Sequence, residues 1–403
     1  MSAARFAKVS VTDLEMADKR VFVRVDFNVP LEAGSVADDL RLRASLPTIR
    51  KVLEKRGRPI LASHLGRPKG KPDPAYSLEP VARKLKELIE APVRFAPDCV
   101  GAEALEAARS LEPGEILLLE NLRFHPGEEK NDAEFAARLA RLAEAYVNDA
   151  FGSAHRAHAS VAALCRHFDP AAAGLLMEKE LEYLGGLLVN PQRPYVAILG
   201  GAKVSDKVEL VKNLLPRVDV VLIGGAMAYT FLAALGVSVG ASRTEPASVP
   251  IAAQILKDAE QCGVKVVLPV DHRIARSFES PGEGEVVAAR EIPDGSLGLD
   301  IGPVTAESFA REIAAARTIL WNGPVGLFER PPFDAGSRAV AEAIAASRAR
   351  SVAGGGDTAA ALARFHLSDK LSHVSTGGGA SLEFLSGVEL PGVAALTDKP
   401  AQA

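Results

Sequence analysis

The chain has 403 residues, a length that suits two domains better than one. Its 48% hydrophobic and 24% charged residues give an ordinary globular composition, and a net charge of -4 excludes a nucleic-acid binder held by bulk electrostatics. Cys99, Cys165 and Cys262 are widely spaced and form no CxxC pair, so reduced, buried thiols are expected rather than a disulfide framework or a structural zinc site.

The opening Met1-Ser2-Ala3-Ala4-Arg5-Phe6 carries no apolar leader core, and a cytoplasmic location is the expectation. Four short apolar runs then read as strands: Val21–Pro30, Pro59–Ser63, Glu115–Glu120 and Ala145–Asp149. Amphipathic stretches such as Leu78–Leu88 lie between them, and this alternation indicates a parallel α/β sheet. Ligands of such sheets bind beyond the carboxyl ends of the strands. Arg24, His64, Arg67, Arg123, His155, Arg156 and His158 follow those ends, and Arg41 opens the next helix. So many cations on one rim suggest a pocket for a small, strongly anionic ligand gripped by guanidinium forks. His155 and His158 have a spacing that could serve a metal, but Arg156 between them argues against a cation there. Glu128, Glu129 and Lys130 read as a solvated loop.

Met177–Leu188 has leucines at helical spacing and is followed by the breaking run Asn190-Pro191-Gln192-Arg193-Pro194. This sets the expected boundaries: an N-terminal domain over 1–175, a hinge helix over 176–189 and a C-terminal domain over 190–388. Val220–Ser242 is uncharged and long enough to span a bilayer. It divides, however, into a strand, Gly224-Gly225, a helix over Ala226–Leu235 and a stop at Gly236, so no membrane segment is expected.

In the second half the strands end in glycine. Tyr195–Leu199 runs into Gly200-Gly201-Ala202-Lys203, Val220–Ile223 into Gly224-Gly225, Thr318–Trp321 into Asn322-Gly323-Pro324, and Ser351–Ala353 into Gly354-Gly355-Gly356-Asp357-Thr358. Val264–Asp271 is a further strand without such a rim. Glycine-rich strand ends let backbone N–H groups and helix starts reach phosphates. Lys203 and Lys207 add positive charge, Asp357 could hold Mg²⁺ on a polyphosphate, and Glu329 could accept from a ribose hydroxyl. Neither GxxxxGK[ST] nor GxGxxG is present, so the site is neither a P-loop nor a dinucleotide fingerprint. His373–Ser381, with Gly377-Gly378-Gly379, reads either as a phosphate cradle or as a plain strand–turn–helix connection. One lobe for a phosphorylated acid and one for Mg²⁺-nucleotide fit phosphoryl transfer, in which the protein mainly positions groups and neutralises charge.

The runs Arg24–Pro30, Ser63–Pro68, Glu120–Phe124, Asp149–Gly152, Gly200–Lys203, Trp321–Pro324, Gly354–Thr358 and Ser375–Ser381 resemble phosphoglycerate kinase, in order and over almost the whole chain. The resemblance implies two doubly wound, Rossmann-like parallel-sheet domains joined by a hinge helix, with the active site in the interdomain cleft. It implies reversible transfer of a phosphoryl group between 1,3-bisphosphoglycerate and ADP, giving 3-phosphoglycerate and ATP with Mg²⁺, by a cytoplasmic monomer. Carried over residue by residue, Asp26, Asn28, Arg41, His64, Leu65, Gly66, Arg67, Arg123 and Arg156 would bind the glycerate. Lys203, Lys207, Gly298, Asn322, Glu329, Gly355, Gly356, Asp357 and Thr358 would bind nucleotide, with Asp357 on the metal. Arg41, Lys203, Gly378 and Gly379 would stabilise the group in transfer, Gly377 to Gly379 meeting it once the lobes close. The tail, about 389–403, would return to the N-terminal domain. An NAD-dependent oxidoreductase or a non-catalytic two-lobed anion binder are the alternatives; the first lacks its glycine fingerprint, and the second has no use for Lys203, Lys207 and Asp357.

Overall fold

The computed structural model describes residues 6–288 and 292–400. The run read for a leader lies, apart from Phe6, outside them. The chain divides into two compact units: residues up to Glu182 together with the tail from Glu389, and Tyr183–Val388.

Unit 1 carries strands β1 (Arg20–Arg24), β2 (Leu31–Glu32), β3 (Ser35–Val36), β4 (Arg58–Ala62), β5 (Val93–Ala96), β6 (Ile116–Leu119), β7 (Ala145–Asn148) and β8 (Ala171–Ala173). Its helices are α1 (Leu40–Glu54), α2 (Glu79–Leu88), α3 (Ala102–Arg109), α4 (Pro126–Glu129), α5 (Ala133–Ala140) and α6 (Leu175–Val189), the last continuing into unit 2. Six strands form one parallel sheet in the order β5-β6-β4-β1-β7-β8. Its central strands are apolar without alternation, as in the fully buried run Ile116–Leu119, because helices cover both faces of a parallel sheet. Helix α1 buries Leu42, Leu46, Ile49 and Val52 at helical spacing against Val21, Val23 and Val25. The register sets Ala62, Arg24 and Asn148 at one level, so the loops after β4, β1 and β7 leave the sheet side by side. The tail, whose short helix α14 spans Pro391–Ala394, is tied into this unit by Thr397 N donating to Ala171 O (3.0 Å), Gly392 N to Ala154 O (2.8 Å) and Lys8 Nζ to Asp398 Oδ1 (2.6 Å).

Unit 2 carries β9 (Tyr195–Leu199), β10 (Val220–Ile223), β11 (Lys265–Val267), β12 (Asp271–Ala275), β13 (Glu285–Ala288), β14 (Leu297–Ile301), β15 (Thr318–Asn322), β16 (Arg350–Gly354) and β17 (His373–Val374). Between them lie α7 (Val208–Leu214), α8 (Met227–Ala234), α9 (Val249–Gln261), α10 (Pro303–Ala315), α11 (Ala335–Ala346), α12 (Gly356–Arg364) and α13 (Gly379–Leu385). The main sheet is again parallel, β11-β10-β9-β15-β16-β17. In both sheets the chain starts in the middle, completes one side and then crosses to the other, with β6 of unit 1 inserting between β4 and the edge strand β5. That gives each unit a topological switch point, β1/β7 and β9/β15, where loops diverge and leave a crevice.

The expected strand over Val264–Asp271 is two elements. It breaks after Val267, and Asp271 begins an antiparallel three-stranded sheet, β13-β12-β14. Asp271 also caps α10, its carboxylate accepting from Val304 N (2.9 Å) and Thr305 N (2.8 Å). The uncharged stretch resolves into β10 and α8, and no helix among the described residues is long and apolar enough to cross a membrane. Of the thiols expected to be buried, Cys99 and Cys165 are, and Cys262 is exposed.

Candidate active site

In unit 1 the loops after β1 and β4 and the start of α1 assemble Asp26, Asn28, Arg41 and His64–Arg67. The start of α1 brings Arg41 to Asp26, Nη1 donating to Oδ2 at 3.0 Å and to Asn28 O at 3.2 Å. Asn28 Oδ1 accepts from Gly66 N (2.9 Å), and Gly66 O accepts from Arg123 Nη1 (2.7 Å), so one glycine peptide orders a ligand from each neighbouring loop. Gly66 has φ +61°, and a Cβ there would lie 2.2 Å from Tyr76 Cδ1, which excludes a side chain. Asn121 holds the backbone of Leu65 from both sides, Oδ1 accepting from its N–H (3.2 Å) and Nδ2 donating to its carbonyl (2.7 Å). Leu65 is buried, so only its backbone can face a ligand. Arg67 is exposed and makes no ion pair with any described residue. Arg156 is half-buried, its Nε donating to His155 Nε2 at 3.1 Å.

Two expectations and one premise are corrected here. Arg24 is fully buried and is no rim cation: its guanidinium donates to Ser160 Oγ (2.8 Å), Val25 O and His64 Nδ1 (3.1 Å). Glu128 belongs to α4 and is fully buried, accepting from Ser160 N (2.9 Å) and Ser160 Oγ (2.6 Å). His155 and His158 follow a 3-10 turn over Phe151–Ser153, not a helix, so the helical-spacing reading does not apply. The surroundings of His64 and His158 are strongly cationic. Burial, then Arg24 and Arg123, hold His64 well below the usual imidazole range, and burial and the same arginines bring His158 down to about 3. Burial lowers Arg123 to about 10 against the opposing pull of Glu129. The imidazoles are therefore neutral near pH 7, and the arginines carry the charge.

In unit 2 the register aligns Leu199, Asn322 and Gly354 across the sheet, so the turns after β9, β15 and β16 emerge as neighbours. With the start of α13 they enclose a pocket of about 330 Å³ lined by Lys203, Lys207, Asn322, Gly355–Thr358, Gly378 and Gly379. Lys203 and Asp357 are exposed, and Asp357 sits in the first turn of α12. Lys207 Nζ donates to Asn322 O (3.1 Å) and Oδ1; burial lowers it to about 8, opposed by Asp206 and Asp357.

The glycines divide by purpose. Gly200 N and Gly201 N already donate to Asn322 O (3.0 Å) and Pro324 O (2.8 Å), and a Cβ on Gly200 would lie 2.2 Å from Pro324 O. Those two permit a close backbone crossing and do not present amides to phosphate, contrary to the expectation for that loop. Gly356, Gly378 and Gly379 face open space. Thr358 Oγ1 is also committed, accepting from Gly323 N (2.7 Å) and donating to Gly354 O (2.9 Å). Gly298 and Glu329 do not line the pocket: Gly298 packs on Tyr229, and Glu329 is exposed on a loop joined to β14 by Leu327 N donating to Leu299 O at 2.8 Å. Gly200, Gly201, Ala202 and Gly323, members of the glycine-rich runs, line it as well, and so do Asp206 and Leu382, which the sequence did not single out. Asp206 lies between the two lysines of its motif; Leu382 has no such signal.

Asp98, Cys99 and His125 offer ligand atoms within 4.8 Å of one another. Yet Asp98 Oδ1 accepts from Cys99 N (2.6 Å) and meets His125 Nε2 (2.6 Å), while burial pushes the Cys99 thiol well above its usual range. That is a satisfied hydrogen-bonded cluster, not a metal site.

Two doubly wound units, one with an arginine-lined rim and one with a pocket of lysines, open glycines and a carboxylate, define a phosphotransferase of the kinase class. The family described as phosphoglycerate kinase matches residues 11–388, and the chain belongs to that family. The phosphoglycerate kinase of Moorella thermoacetica is 54% identical over 393 residues, spanning 98% of this chain and 100% of its own. That of Solibacter usitatus is 56% identical over 393 residues, spanning 96% and 99%. Among solved structures, phosphoglycerate kinase from Coxiella burnetii matches with a TM-score of 0.88 at 42% identity, covering 96% of this chain and 98% of its own. The Pyrococcus horikoshii enzyme matches at 0.83 and 34%, with the same coverage. The reaction is the reversible glycolytic transfer of a phosphoryl group between 1,3-bisphosphoglycerate and ADP, and the oxidoreductase and non-catalytic readings are set aside.

Proposed function

We propose that unit 1 binds the glycerate and unit 2 the Mg²⁺-nucleotide, with helix α6 as the hinge about which the two ligands are brought together. In this reading Asp26, Asn28, Arg41, His64, Arg67, Arg123 and Arg156, with the backbone of Leu65 and Gly66, hold 3-phosphoglycerate. Asp26 holds the Arg41 guanidinium by an ion pair, and the neutral His64 adds a donor without adding charge. Lys203, Lys207, Asn322 and Gly355–Thr358 hold the nucleotide phosphates, while Gly298 and Glu329 extend the site toward the nucleoside. The acceptor is an ionised carboxylate, so no general base is required; Arg41, Lys203 and the backbone of Gly378 and Gly379 stabilise the group in transfer. Asp357, exposed and lining the pocket beside two lysines, suits a cation that takes one carboxylate and several phosphate oxygens. When bound there, Mg²⁺ would neutralise charge on those oxygens. A cytoplasmic monomer completes the reading.

The observation that carries it is the gathering of Lys203, Lys207, Asn322 and Asp357 into one pocket by strand register. The test is a coupled assay with Mg²⁺-ATP and 3-phosphoglycerate. Turnover should vanish on chelation, return with Mg²⁺, and fall by about 10²-fold or more in Lys203→Ala. A folded Lys203→Ala enzyme with undiminished kcat would refute the assignment. For the hinge, small-angle scattering should show a smaller radius with both ligands than with either alone.

A further inference from the structure

Behind the cationic rim of unit 1 runs a buried polar chain that direct ligand contact does not explain. It starts at Glu128, whose carboxylate takes both the N–H and the Oγ–H of Ser160, and passes through Ser160 Oγ to Arg24 Nε. It ends where Arg24 Nη2 meets His64 Nδ1 at 3.1 Å. Glu128, Ser160 and Arg24 are fully buried, and His64 is 5% exposed. The direction of every proton in this chain is fixed by its ends. A guanidinium only donates, so His64 Nδ1 must accept and Ser160 Oγ must accept from Arg24 Nε. Ser160 then has its own proton left for Glu128, which accepts it. With Nδ1 accepting, the ring proton resides on Nε2, which makes no hydrogen bond to any described residue.

We propose that Glu128, Ser160 and Arg24 are positioning residues which lock His64 as the Nε2–H tautomer, so that the ring presents a donor to the anionic substrate. This deepens the reading in which His64 touches the glycerate, and rests on it. The physical need is clear. Arg24 is a buried cation, and Glu128 at the other end of the chain is a buried carboxylate whose charge offsets it. The groups facing His64 are Arg24 on β1, Arg123 after β6, and His158 and Arg156 after β7, all of which disfavour a second ring proton. Glu128 on α4 is pushed up by its burial and held back by Arg24, Ser160 and Arg123. The ring is thus kept neutral by its surroundings, and the relay decides which nitrogen carries the single proton.

The experiment is nitrogen-15 NMR of the histidine-labelled, full-length protein, the His64 resonances being assigned by their loss in His64→Gln. In the wild type His64 should show the Nε2–H tautomer alone and should not titrate between pH 5 and 8. In Glu128→Gln and in Ser160→Ala, Nδ1–H should gain population, and KM for 3-phosphoglycerate should rise about tenfold, the loss of one charge-assisted hydrogen bond, with kcat changed far less. A wild-type His64 carrying its proton on Nδ1, or titrating in that range, would overturn the proposal even if neither variant folds. Folded variants with unchanged His64 spectra would overturn it too. A locked Nε2–H tautomer whose resonances ignore saturating 3-phosphoglycerate would sustain the relay while refuting His64 as a substrate contact.

Discussion

Gly66→Ala isolates the packing on which the proposed glycerate site depends. Gly66 sits at φ +61°, where an L-residue costs about 1–2 kcal/mol, and its added methyl would lie 2.2 and 2.3 Å from Tyr76 Cδ1 and Cε1. Overpacking of that kind costs about 1–3 kcal/mol after relaxation. The sum, about 2–5 kcal/mol, should lower the Tm of a unit this size by about 5–15 °C in calorimetry. Because Gly66 N serves Asn28 and Gly66 O serves Arg123, the same change should raise KM for 3-phosphoglycerate. The two costs separate in a double-mutant cycle with Tyr76→Ala: removing the ring relieves the clash but not the backbone strain, so the coupling should be about 1–3 kcal/mol. Gly356→Ala, where the methyl meets open space and φ is not positive, should cause no loss of stability. Gly66→Ala with wild-type Tm and KM would refute the reasoning.

Arg41→Ala should lower kcat by about 10²-fold or more while moving the dissociation constant of 3-phosphoglycerate much less, because a contact made in the transition state acts on kcat. Equal kcat with only a raised KM would make Arg41 a substrate anchor. Thr358→Val keeps the shape but strips the acceptor from the buried Gly323 N–H, a cost of about 1–3 kcal/mol in denaturant titration, with weaker nucleotide binding by calorimetry. Lys207, held at about 8, should lose its charge as pH rises through 8 to 9, and the affinity for Mg²⁺-ATP should fall over that range in wild type but not in Lys207→Met. Without ligand the sign reverses. Between about 8 and the unfolded value of 10.5 the unfolded chain binds the proton that the folded chain does not, so this lysine's contribution to stability improves with rising pH.

Period and punctuation are local properties, and they were enough to place most strands and helices. Tyr195–Leu199 and Val220–Ile223 have the bounds their apolar runs indicate, and the runs before Asn322 and Gly354 lie within one residue of their strands. The kinship to phosphoglycerate kinase was equally legible, because its motifs are contiguous. What sequence could not tell was which polar groups face inward. Glu128 and Arg24 look like solvated charges until α4 and β1 are packed around Ser160, which lies 32 residues from one and 136 from the other. The strand ends at Val267, just before Pro269, and Asp271 beyond it caps a helix 33 residues on, a contact no window of apolar residues reveals. Glycines carry the same ambiguity: Gly200 and Gly356 are identical in sequence logic, yet one permits two backbones to touch and the other faces open space. A glycine states that a side chain is excluded there; whether a neighbour or a ligand excludes it depends on atoms from distant parts of the chain.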